Sequence, residues 1–194
     1  MSASDEPEPE GSVACREPLL AALEKAVALH SPCVHHHTCR VRHYAVAAGK
    51  ALGWPGKPVI RIDQLARLHE VGKLGFPPDL LQRAFAGLPA SERERLKQHP
   101  YRAEELLTTS GPLADLGPFL RAQHEYLDGS GFPDGLRGAD IPWESQVLAV
   151  AGDYDDLLAG RFFLRPLRPR KALEFLAGER DRLYQPEVVD ALLT

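Results

Sequence analysis

Apolar side chains recur three and four positions apart along nearly the whole of this sequence, and in no segment do they alternate with polar ones. A chain so patterned has helices to pack and no sheet to build. Leu19, Leu20, Leu23, Ala26 and Val27 make a first stripe from about Arg16, ended at Ser31-Pro32 because proline cannot continue a helix. Val41, Ala45, Ala48 and Leu52 make a second over 34–52, closed by Gly53. Ile62, Leu65, Ala66 and Leu68 make a third, which carries His69 and Glu70 near its end before Gly72 and Gly75 break it. Shorter helices are expected at 79–85, at 91–98 with Ser91 and Glu94 as a capping box, at 101–108 and at 118–126. The glycine-rich residues 127–142 read as a loop of tight turns, 147–158 as a buried helix, and 169–176 and 186–193 as two more amphipathic helices. The predicted class is all-α.

The 194 residues suffice for one core. Residues 1–15, rich in Pro, Glu and Ser, read as a disordered acidic tail ahead of a single domain at 16–194. A net charge of −4 gives no general attraction for nucleic acid polymers or anionic membranes, so a small phosphate ester held by local charge is the better-suited ligand. No run approaches the ~20 apolar residues of a membrane helix, and the N-terminus is acidic where a signal peptide is basic. A cytoplasmic location is therefore expected. Three cysteines, an odd number, argue for free thiols.

Of eight histidines, His37, His69, His99 and His124 fall at helix ends or loop boundaries in four separate segments. Imidazole and carboxylate together suit Fe, Mn, Ni or Zn, and two-metal phosphohydrolases gather such ligands from several helices. His69 and Glu70 are adjacent where a helix ends, and Lys73 follows at a distance from which it can reach back toward a phosphate. A zinc-protease reading fails because Lys73 stands where a second histidine is required. Cys33, His35, His36, His37 and Cys39 match no structural zinc spacing, and the basic run 165–171 is read as a solvated linker.

The sequence closely resembles the HD-GYP family, the bacterial branch of the HD phosphohydrolases that opens cyclic di-GMP. Ser31-Pro-Cys-Val-His-His-His37-Thr-Cys-Arg40-Val41 is similar to D-P-x-T-x-G-H-S-x-R-V, and Leu68-His69-Glu70-Val71-Gly72-Lys73-Leu74-Gly75-Phe76-Pro77 to L-H-D-I-G-K-I-G-I-P. Lys97-Gln98-His99-Pro100 matches K-x-H-P, and the stretch from Gln123 to Pro133 resembles H-H-E-x-x-D-G-x-G-Y-P. The stretch from Val147 to Leu157 resembles I-L-A-V-A-D-x-F-D-A-L, and Arg161 falls on the arginine of R-P-Y.

The resemblance implies an all-α HD-type bundle with a Gly-rich loop of the GYP kind. It implies His37, His69, Glu70, His99 and His124 as metal ligands, Lys73 as the catalytic cation, and Arg161 and Phe132 as substrate-binding residues. Three departures fall on ligands. Glu70 replaces Asp and moves the carboxylate by ~1.5 Å; Gln123 replaces His with a poor donor; and Gly152 replaces Asp with no donor at all. Asp153 is adjacent to Gly152 but points ~100° away on a helix. Phe132 lacks the tyrosine hydroxyl, and Cys33 stands where members with three metals carry a further glutamate.

The expected cofactor is Fe, Mn, Ni or Zn, as one or two ions at reduced occupancy, or none. The expected function is cyclic di-GMP hydrolysis on a degraded site, with turnover weak or lost. The alternative is an inactive module that binds nucleotide or a protein such as one carrying a diguanylate cyclase (GGDEF) domain.

Overall fold

A computed structural model describes residues 10–193 of the chain, as ten α-helices joined by turns; among these residues no strand forms beyond two isolated bridges. Residues 1–9 of the expected tail lie outside the described residues, and helix α1 (Glu10–His30) begins ahead of the expected Arg16. Ser31 separates it from α2 (Pro32–Ala51) and caps that helix by accepting the Val34 amide. Next come α3 (Gly56–Leu68), the short α4 (Pro78–Leu81), α5 (Ala90–Leu96) and α6 (His99–Thr108). The chain ends with α7 (Gly117–Arg121), α8 (Trp143–Ala159), α9 (Pro169–Gly178) and α10 (Pro186–Leu193).

The core lies among α2, α3, α6 and α8. Val41 and Ala45 of α2, and Ile62, Leu65, Ala66 and Leu68 of α3, are fully buried, so the stripes read from spacing are the faces that pack. Helix α8 is covered on nearly every side. Val147, Leu148, Val150 and Ala151 are all buried, which is why its apolar residues run together without a polar face. Arg67 ties α3 to α1 through Glu17 and Glu24.

Three local expectations differ from the fold. The helix expected at 79–85 is a single turn of α4, followed by a 3-10 turn at Phe85–Gly87. Helix α5 starts at Ala90 with Pro89 as its cap, so Ser91 sits inside the first turn and Glu94 pairs with Lys97 instead of closing a capping box. The helix expected through Tyr126 stops at Arg121. There the backbone turns to bridge His124 with Phe132, and Glu125 accepts the amides of Asp134, Gly135 and Leu136 at 2.7, 3.1 and 3.0 Å. Long-range bonds of this kind override a local helical pattern.

Candidate metal centre

Helix α3 ends just before His69, which therefore sits at the cap, and a 3-10 turn at Val71–Gly75 follows. His69 Nδ1 donates to the Ala66 carbonyl at 2.8 Å. Its Nε2 is left buried with no hydrogen-bond partner. From α2, His37 places Nε2 at 3.4 Å from Glu70 Oε1, and His69 Nε2 lies 3.6 Å from the same oxygen. Donor atoms of His37, His69 and Glu70 thus lie within 4.8 Å of one another.

Behind His37 stands a second layer. His37 Nδ1 donates to Asp155 Oδ2 at 2.7 Å, and Arg40 holds both oxygens of Asp155 at 2.6 and 2.8 Å. A carboxylate behind an imidazole fixes the ring and commits Nε2 to the ligand side. Asp155 and Arg40 are positioning residues that the motif reading passed over. Their signal was present: Arg40 lies three residues after His37, on the same face of α2.

The second group of donors comes from α6 and the loop beyond α7. His99 Nδ1 donates to the Leu96 carbonyl at 2.8 Å, and its Nε2 faces His124 Nε2 at 3.1 Å. Two nitrogens each about 2.1 Å from one ion and at right angles to each other are about 3 Å apart, so this spacing suits a shared ion. Gly72 lets the two groups approach, because a Cβ there would collide with the His99 carbonyl oxygen. Gly131 does the same for the loop, where a Cβ would strike the His124 carbonyl.

Burial drives the His69 imidazole down to about 4 and that of His99 to about 3, and it holds His124 well below its ordinary range. All three are neutral near pH 7, with lone pairs available. Burial would lower His37 as well, but the hydrogen bonds it donates to Asp155 and Glu70 outweigh it and push it up to about 9. Burial would raise Glu70; the Lys73 ammonium, 2.7 Å away, and His37 hold it well below the carboxylate range. Asp155 is likewise held at about 2 by His37 and Arg40 against its burial.

The remaining expected residues are placed as follows. A cavity of about 460 Å³ is lined by Lys73, His99, His124, Phe132, Asp156 and Arg161, with Arg83, Arg93 and Lys97 adding positive charge. Phe132 stacks on His124 with ring centroids 4.8 Å apart. Arg161 contacts Cys33 Sγ at 2.8 Å. Gln123 is buried and its amide nitrogen donates to the His69 carbonyl at 3.0 Å, so it braces the turn. Asp153 does not join the His37 group: the hydroxyls of Tyr126 and Tyr184 both donate to its Oδ2 at 2.9 Å. The orphaned Nε2 of His69 and the chemistry of the donor set fit a divalent transition metal.

An all-helical domain that gathers imidazoles and a His-Glu pair under a basic cavity defines the class, the HD domains. The chain belongs to the HD-domain family, in its HD-GYP branch of phosphohydrolases: the family model described as HD domain matches residues 21–188. It is 36% identical over 156 residues to the cyclic di-GMP phosphodiesterase response regulator RpfG of Xanthomonas campestris, covering 79% of this chain and 41% of that protein. To a cyclic di-GMP phosphodiesterase of Thermotoga maritima it is 33% identical over 161 residues, covering 82% of this chain and 44% of that one. The chain thus spans under half the length of these curated relatives. Among solved structures, an HDG"Y"P protein from Bdellovibrio bacteriovorus superposes with a TM-score of 0.68 at 19% identity, covering 81% of this chain and 50% of that one. The HD domain of the Listeria monocytogenes phosphodiesterase PgpH superposes with a TM-score of 0.61 at 16% identity, covering 88% and 95%. Both carry the same fold. No helix among the described residues is long and apolar enough to cross a membrane.

Proposed function

We propose that this chain is a cyclic-dinucleotide phosphodiesterase domain of bacterial cyclic di-GMP signalling, working slowly on a reduced set of metal ligands. The observation that carries this reading is the pair of donor groups, His37–His69–Glu70 and His99–His124, beneath a cavity rich in Lys and Arg. The curated relatives named for cyclic di-GMP hydrolysis support the substrate class.

His37, His69, Glu70, His99 and His124 would hold Fe, Mn, Ni or Zn. When bound, such an ion supplies Lewis acidity and a water that deprotonates near neutral pH. Lys73, at the cavity wall, neutralises charge on the phosphoryl oxygens, and its bond to Glu70 keeps the ammonium in place. Arg161 meets a second phosphate from the rim, and the Phe132 ring offers a face for a base. Low imidazole pKa values keep His69, His99 and His124 free of protons at neutral pH.

A second reading is favoured by one observation: Gln123 is spent on the His69 carbonyl and Gly152 brings no donor, so the site is short of two ligands. On that reading the domain binds the nucleotide, or a partner carrying a diguanylate cyclase domain, without turnover. Metal analysis of protein purified without chelator, run beside a cyclic di-GMP hydrolysis assay, separates the two. The first reading expects at least one ion per chain and slow release of the linear dinucleotide. Protein that binds cyclic di-GMP with no linear product in any metal would replace it with the second, and protein that takes up neither metal nor nucleotide would end both.

A further inference from the structure

A second cavity, of about 380 Å³, lies where the glycine-rich loop, the start of α8 and the turn ahead of α10 meet. Leu127, Ile141, Trp143, Gln146, Asp181 and Gln185 line it, and none of them lines the cavity over the metal centre. Trp143 and Gln146 stand three residues apart on α8, so their side chains share one face of the helix. Trp143 is 43% exposed, a large aromatic surface left uncovered. Gln146 is only 7% exposed. Its amide nitrogen donates to the Ile141 carbonyl at 2.9 Å, which commits the orientation of the amide, and its Oε1 is left buried with no hydrogen-bond partner. A buried acceptor without a donor is costly until something supplies one.

Asp181 brings the charge. Its amide donates to the Tyr184 carbonyl at 3.0 Å, and in the same turn the Leu183 carbonyl accepts the Leu127 amide at 3.0 Å, so turn and loop are fastened together and the wall is preformed. Arg180 and Arg182, on either side of it, pair with Asp190 and with Asp128 and Glu179, leaving the Asp181 carboxylate without an ion-pair partner among the described residues.

The unmet chemistry therefore has one sign. Two acceptors, the Asp181 carboxylate and Gln146 Oε1, adjoin an indole ring, and no Lys, Arg or His lines the cavity. A phosphate or a carboxylate finds no cation there. An ammonium would answer the charge alone, whereas a guanidinium is planar and permanently charged, and can lie over an aromatic face while donating in its own plane to two acceptors. We propose that this cavity binds a guanidinium group, carried either by a small free guanidine compound or by an arginine side chain of a partner protein. The site stands apart from the phosphodiesterase chemistry and does not depend on it.

The test is titration of the full chain with agmatine and with the blocked tripeptide Gly-Arg-Gly, read by calorimetry and by the NMR signal of the Trp143 indole N–H, which Trp143→Phe distinguishes from that of Trp54. At least one probe is expected to bind and to move the Trp143 signal while leaving that of Trp54 in place. Asp181→Asn, tolerated by the left-handed backbone there, is expected to weaken binding by about tenfold. Trp143→Ala is expected to weaken it by about tenfold as well, with thermal melts establishing that each variant folds. Exchanging the arginine of the tripeptide for neutral citrulline, which needs no variant of the protein, is expected to cost at least as much. Tighter binding of the tripeptide assigns the site to a partner's arginine, and equal or tighter binding of agmatine assigns it to a free guanidine compound. A citrulline tripeptide that binds as well as the arginine one overturns the proposal, as does binding that leaves the Trp143 signal unmoved or survives Asp181→Asn unchanged. Protein that binds neither probe at millimolar concentration overturns it too, and each of these results leaves the proposed function untouched.

Discussion

The two halves of the site are built differently. His37, His69 and Glu70 come from the core helices α2 and α3, and Asp155 and Arg40 brace them from behind. His99 and His124 come from the start of α6 and from a glycine-rich loop, and they face each other across 3.1 Å, with a backbone carbonyl, that of Leu96, behind the His99 ring. In the first half position 152 is glycine; in the second the side chain of Gln123 is turned onto the backbone. Ligands mounted on packed helices with braced rings hold an ion more tightly than ligands on a loop. On the proposed function, the first half is therefore expected to hold an ion more tightly.

Removing one imidazole from each half is the largest test. His69→Ala is expected to abolish the tightest metal site, with a loss on the order of 100-fold or more, whereas His124→Ala leaves it within about tenfold. Metal titration of both variants decides the matter, and equal losses would break the comparison. Next comes the brace. Asp155→Asn keeps the shape but removes the charge that orients His37, and metal affinity is expected to fall by about 10- to 100-fold. An unchanged affinity would make the Asp155–Arg40 pair merely structural.

In metal-free protein His37 titrates opposite to the other imidazoles of the site, His69, His99 and His124. His37 is raised from 6.5 to about 9, so its contribution to stability is whole below pH 6.5 and is lost as pH climbs through 9. Its partner Asp155 is depressed from 3.8 to about 2, so that contribution is present above 3.8 and is lost as pH falls toward 2. His99 is depressed from 6.5 to about 3: the unfolded chain takes up the proton first, and stability is lost as pH falls from 6.5 toward 3. Thermal melts across pH should show His37→Gln flattening the alkaline decline and His99→Gln flattening the acid one. Both variants acting on the same limb would contradict the assignment.

The smallest effect is a repair. Gln123→His returns an imidazole to the weaker half but gives up the hydrogen bond to the His69 carbonyl, worth about 1 kcal/mol. Metal affinity there is expected to rise by about tenfold at a small cost in melting temperature. No gain in affinity would show that the side chain at 123 is held for the turn alone.

Much of this was written locally. The stripes of α2 and α3 set their buried faces, and Ser31-Pro32 and Gly53 set their ends, because spacing and backbone chemistry act over a few residues. The five expected donors were legible as residue types in motifs. The capping box at Ser91 and the helix through Tyr126 were misread for the opposite reason, since Pro89 and the amides gathered by Glu125 overrode the local pattern.

The sequence by itself determined an all-helical chain and supplied its imidazoles and carboxylates. Only the tertiary structure decided which nitrogen of each ring is free and that Asp155, 118 positions further along the chain, stands behind His37. Periodicity fixes which face of a helix is apolar, but the partner that each polar atom meets depends on how helices distant in sequence rotate and pack against one another.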